Sequence, residues 1–244
     1  AMVDGRCAFL SRDDRCSLHA FGKPAGCTAF PAVYVDDGET LRAGPAPKCE
    51  CVFDSAGGGT AQASWPPPPG VHTAVVTLPL LSDGLSRAEI IACDDVLGRR
   101  DADVPGLLVA AAGSRDPHAP PVADAWRQLD SERAVLAARL ERLIARHRWR
   151  HPDDLARVVP DWLQHALTQP PPPPTPAQRD DERFWLQAQC HLHAWATAGE
   201  PLVTVWREAA LRVLLARALS APAAAAGFAH PLALVEAIAR GYGI

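Results

Sequence analysis

The spacing of apolar and polar residues divides the chain near residue 80. Before that point no helical period is present, and short apolar stretches alternate with Gly- and Pro-rich segments, which predicts loops and short strands. Ala32 to Val35, the turn Asp36-Asp37-Gly38 and the following Glu39 to Arg42 predict a hairpin, because an Asp-Gly pair tolerates the positive φ of a tight turn. Cys51 to Phe53 and Thr73 to Leu80 are further predicted strands. Gly57-Gly58-Gly59 and Pro66 to Pro69 mark a surface loop between them.

From Ser86 the period becomes helical. Ser86 and Glu89 stand at capping-box spacing, so a helix is predicted to start there, run to about Leu97 and stop at Gly98. A variable loop to about Pro121 is expected next. The clearest stripe follows, from about Ser131 to Trp149, with Leu136, Leu140, Leu143, Ile144 and His147 on one face. Pro152 ends it, and short helices are expected over 152–159 and 160–168. Gln169 to Pro176 is a proline run, read as a stiff polyproline II spacer. Thr175, Pro176 and Gln178 then start a helix expected to end near Gly199, and two more run from about Pro201 to Ser220 and Pro231 to Arg240. Trp126, Trp149, Trp162, Trp185, Trp195 and Trp206 fall at apolar helical positions and are predicted to build the core. The expected fold is therefore mainly α: an irregular Cys-rich region with short β-strands, residues 1–80, packed on a C-terminal helical bundle, residues 81–244, with the proline-rich linker at 169–176.

Composition changes this picture little. Of 244 residues 48% are hydrophobic and 21% charged, which excludes wholesale disorder, and 24 prolines against one methionine suggest a high-GC, bacterial genome. A net charge of -4 gives no general attraction for phosphate backbones, so no nucleic acid is expected. No uncharged apolar run is long enough for a membrane span; the strongest, Pro201 to Leu219, is interrupted by Arg207, Glu208, Arg212 and Arg217. Without a leader pattern the expected location is cytoplasmic, and Ala1 ahead of Met2 reads as a cloning remnant.

Cysteine placement matters more. Five of the seven cysteines lie between residues 7 and 51. Thiols kept reduced in the cytoplasm and clustered in loops usually hold metal, since tetrahedral zinc or a cubane iron-sulfur cluster needs soft ligands brought together by loops that bend freely. Cys7, Cys16, Cys27, Cys49 and Cys51 are the candidates, with His19 as a further ligand or a hydrogen-bonding neighbour of one. If Cys51 begins a strand, Cys49 and Cys51 face opposite ways and only one of them readily binds the same ion. An empty site or disulfide pairing are the other arrangements open to these thiols.

Elsewhere the chemistry is ordinary. Cys190 and His193 share a face if their helix is continuous, but two ligands on one helix need partners, so a buried cysteine and partly exposed histidines are the expectation. Cys93 reads as a core residue. Asp94-Asp95, Asp153-Asp154 and Asp180-Asp181 have structural readings near helix ends. Gly57-Gly58-Gly59 lacks the Gly-Lys-Ser/Thr of a phosphate loop, and no GxSxG or HExxH pattern occurs.

The string from Arg6-Cys7-Ala-Phe-Leu through Arg15-Cys16-Ser-Leu-His19 to Lys23-Pro24, Cys27 and Phe30-Pro31 resembles the YkgJ-type cysteine-cluster family of zinc- or iron-chelating proteins. The resemblance covers about residues 6 to 31 and implies that Cys7, Cys16 and Cys27 are cluster ligands. The CxxCxxCC segment of that family is not among these residues, Cys7 being the first cysteine: either it lies upstream of residue 1, or one site has been dropped and Cys49 or Cys51 completes the other. Three functions follow as expectations: a metal-binding module acting through a protein partner; an enzyme similar to flagellin lysine-N-methylase, using S-adenosylmethionine; or an iron-sulfur redox sensor. No glycine-rich strand-to-helix turn for S-adenosylmethionine is present in the sequence.

Overall fold

A computed structural model describes residues 2–3, 6–7, 32–36, 39–45, 47, 50–56, 74–75, 85–135, 138, 161, 166, 168–197, 200–225 and 228–239. These are mainly helical, with a small sheet. In chain order the elements are β1 (Met2–Val3), β2 (Arg6–Cys7), β3 (Ala32–Asp36), β4 (Leu41–Pro45), α1 (Glu50–Ser55), β5 (Ala74–Val75), α2 (Arg87–Arg99), α3 (Val104–Ser114), α4 (Ala125–Gln128), α5 (Pro176–His191), a 3-10 turn (Ala194–Thr197), α6 (Leu202–Ala218), α7 (Ser220–Ala225) and α8 (Pro231–Ala239). Residues 130–135 are also helical. Among the described residues no helix is long and apolar enough to cross a membrane.

The expected hairpin forms, with its second strand shifted: β3 pairs antiparallel with β4 from Ala32↔Pro45 to Asp36↔Leu41, so Glu39 and Thr40 belong to the connection. β5 adds to the other edge of β3 in parallel, Val35 opposite Ala74. It accounts for two residues of the strand expected over Thr73 to Leu80, and the remainder lies outside the described residues. Cys51 to Phe53, expected as a strand, belongs instead to helix α1. Val52 and Phe53 are both buried, which adjacent residues of a half-exposed strand cannot achieve because they face opposite sides.

α6 is the central helix. Trp206, Ala210, Leu211, Val213 and Leu215 are each at most 2% exposed, and α3, α8 and the 3-10 turn all pack on it. α3 corrects the variable loop expected up to Pro121. Every residue from Val104 to Ala112 is buried, so the helix is apolar on all sides and has no amphipathic period to reveal it. Its start signals were present: the Asp103 carboxylate accepts from the Gly106 amide at 3.0 Å, and Pro105 sits in the first turn. Gly106 is required by close approach, because a Cβ there would lie 2.6 Å from the Val122 carbonyl oxygen of the returning chain.

α2 begins with the expected capping box, Ser86 and Glu89 each satisfying the other's backbone amide. It continues past Gly98 to Arg99, so this glycine is not a stop. A Cβ on it would meet the Cβ of Cys190 at 3.3 Å, and its absence lets α5 lie close against α2. The Thr175–Gln178 capping box opens α5 as expected. That helix ends at His191 and not near Gly199, because His193 takes a left-handed φ of 46° where a glycine is usual. Trp126, Trp185, Trp195 and Trp206 are in the core as expected. Trp149, Trp162 and most of the helices expected over 131–168 lie outside the described residues.

Candidate functional site

Of the predicted ligands, Cys16, His19, Cys27 and Cys49 lie outside the described residues. Cys7 is described through its backbone, which pairs with Met2 across the β1–β2 hairpin. Cys51 is placed in α1, so the alternation that set it opposite Cys49 on a strand does not apply. Among the described residues no group of three or more His, Cys, Asp or Glu side chains is arranged to hold a metal ion. The donor set itself, five thiols and an imidazole, is soft and suits zinc or an iron-sulfur cluster better than calcium or magnesium.

The seat of α1 on the helices is well defined. Phe53 meets the Phe184 ring edge-on, with centroids 5.6 Å apart, and stacks on the His230 imidazole at 5.4 Å and 21°. His230 lies just before α8, where its carbonyl accepts from the Ala233 amide at 3.0 Å. Its Nδ1 is 2.8 Å from an Asp181 carboxylate oxygen on α5, and its Nε2 is 2.9 Å from Asp54 on α1. Ionised carboxylates accept and do not donate, so engaging both at once requires an N–H on each ring nitrogen, the imidazolium form. Partial burial works against that charge, but the bonds to Asp181 and then Asp54 outweigh it, and the pKa of His230 is raised above 6.5.

A second polar pair is enclosed between α2 and the break after α5. His193 Nδ1 lies 2.6 Å from Asp94 Oδ2, with side-chain exposures of 1% and 2%. Burial pushes the Asp94 carboxyl up to about 6, against the opposing effect of the hydrogen bond from His193. Its other oxygen, Oδ1, has no hydrogen-bond partner among the described residues. The neighbouring thiols are not activated: burial, reinforced by the charge of Asp94, raises the pKa of Cys190 well above 9 and that of Cys93 less far. The expected common face of Cys190 and His193 is broken at Leu192, and His193 is buried where a partly exposed residue was expected. Cys93 is half-buried against the core, close to its expected role.

A third cluster joins α5, α6 and the start of α3. The Arg217 guanidinium forks onto both oxygens of Glu182 at 2.7 Å and reaches Asp103 at 2.6 Å. Burial raises the pKa of Glu182 despite this pairing. The adjacent cleft is lined by Gln178, Asp181, Glu182, Arg217 and Leu232 among others. Arg212 similarly joins Glu208 and the fully buried Glu236.

Sequence reasoning missed Asp94, His193, His230 and Glu182 as interacting groups. A signal existed for Asp94: it stands between Ile90 and Leu97 at i+4 and i+7 spacing, a carboxylate on a buried helical face. Glu182, three residues before Trp185, is another. No family model matches the chain, and neither a curated protein nor a solved structure matches it.

Proposed function

We propose that the chain is a metal-binding cysteine-cluster module, holding zinc or an iron-sulfur centre through thiolates drawn from Cys7, Cys16, Cys27, Cys49 and Cys51, and acting on a protein partner in the reducing cytoplasm. One observation carries the reading: five of seven cysteines, with His19 among them, fall within the first 51 residues, in segments rich in Gly and Pro. The inert burial of Cys190 supports a division of labour, in which the helices supply a scaffold and the first 51 residues supply the chemistry. In this reading the Cys-rich region packs on the helical bundle, and α1, which carries Cys51 and directly follows Cys49, is its point of attachment.

When bound, the metal would supply a rigid crosslink among segments too short to build a core of their own. The protein's part is to present thiolates, and Phe53 and His230 fix one end of the segment that carries them. The test is metal quantitation with a visible spectrum on the anaerobically purified chain. Near-stoichiometric zinc, or iron with a brown charge-transfer band, is expected, and either should be lost in a Cys16→Ser, Cys27→Ser double variant. A chain that folds without zinc or iron removes the reading.

A further inference from the structure

We propose that His230 is a proton-controlled latch that seats α1, the helix in which Cys51 lies, on the helical bundle. The latch rests on the metal-binding reading for its link to the cysteines, but its own parts are geometric. The imidazole bridges two carboxylates that belong to different elements, Asp54 on α1 and Asp181 on α5, while its face stacks on Phe53 from α1. Asp54 is 67% exposed and Asp181 18%, so the outer half of the bridge is open to solvent protons and the inner half is anchored.

Neutral imidazole carries one N–H. On losing its second proton His230 keeps one carboxylate as a hydrogen-bond acceptor and turns a lone pair toward the other, which converts an attraction into a repulsion. The exposed partner, Asp54, has water available and is the one released. Beyond Asp181, Glu182 and Arg217 face each other and neutralise their charges mutually, and Asp54 and Asp181 are among the charged groups that face the ring. With the bridge broken α1 retains its apolar contacts through Val52 and Phe53, so the expected change is loosening and not unfolding of the bundle.

The sign is fixed by the direction of the His230 shift. Its pKa is raised, so the latch is fully closed below 6.5 and opens as pH rises through the elevated value. Closed, it fixes one end of the cysteine segment and favours metal capture by pre-ordering a ligand; open, it releases that end.

Hydrogen exchange of the α1 amides in the full chain, corrected for intrinsic chemistry, tests the latch without metal. Protection should fall severalfold between about pH 6 and pH 9, as the imidazolium that engages both carboxylates gives way to the neutral ring. His230→Gln should exchange fast at both, and Asp54→Asn, a change at an exposed position that leaves the fold intact, should move the transition to lower pH. Protection that is the same at both pH values in the unaltered chain, or a transition that Asp54→Asn does not shift, overturns the latch. Cobalt titration at the same two pH values separates the second half of the idea. Weaker binding at the higher pH, with that difference absent in His230→Gln, supports the link to the cysteines. If cobalt fails to bind at either pH while exchange behaves as expected, the latch stands and its link to metal falls.

Discussion

His193 holds Asp94 through a 2.6 Å hydrogen bond from a backbone position with φ of 46°, a conformation that residues other than Gly and Asn rarely take. The left-handed turn ends α5 and swings the imidazole against α2. The bond therefore fixes both where the helix stops and how two helices meet, in a place where neither residue can exchange its partner for water.

Asp94 gives the fold a definite pH dependence. Its folded pKa of about 6 lies above the ordinary 3.8, so the folded state binds this proton more tightly than the unfolded chain does. The contribution is fully present below 3.8 and is lost as pH rises through about 6. Denaturant unfolding across this range should show Asp94→Asn, which keeps an acceptor for His193, gaining stability relative to the unaltered chain as pH rises. A difference independent of pH contradicts the assignment.

The buried fork of Arg217 on Glu182 predicts an asymmetric response. Arg217→Met alone leaves a buried carboxylate without its partner and should cost about 3–5 kcal/mol in chemical denaturation. The double change Arg217→Met with Glu182→Leu should recover most of that loss, because two apolar side chains then share the space and Asp103, 46% exposed, still caps α3. Equal losses in the single and double variants would mean that the pair does more than neutralise itself.

The residues between α2 and α4 offer the sharpest contrast between sequence and structure. A loop there tolerates Leu108→Ala with little effect, whereas a helix in the core does not. Leu108 is 0% exposed, so this substitution should destabilise the protein by about 2–5 kcal/mol.

What was legible follows from how each element announces itself. Ser86 with Glu89 and Thr175 with Gln178 start helices through local side-chain bonds, so two starts were readable to the residue. The β3–β4 pairing was expected from the Asp36-Asp37-Gly38 signal in the sequence, although the second strand begins at Leu41 and not at Glu39. α3 was hidden because a helix buried on every side has no polar face to set a period. The end of α5 was hidden because the residue that breaks it, His193, is held by a partner 99 positions away, and nothing local marks it. α1 read as a strand because six residues carry too little periodicity to separate the two forms, and tertiary contact with Phe184 and His230 decides it. For the thiols the sequence carries composition alone, five of seven within the first 51 residues, because convergence on one ion depends on long-range closure that spacing does not encode.

X-ray absorption at the metal edge of the protein as purified probes the thiol site most directly. A shell of three or four sulfur scatterers at about 2.3 Å is predicted, reduced by one in each single Cys→Ser variant of a true ligand. A shell made of oxygen and nitrogen alone, or an edge signal that does not change when Cys7, Cys16 and Cys27 are replaced, would contradict the account.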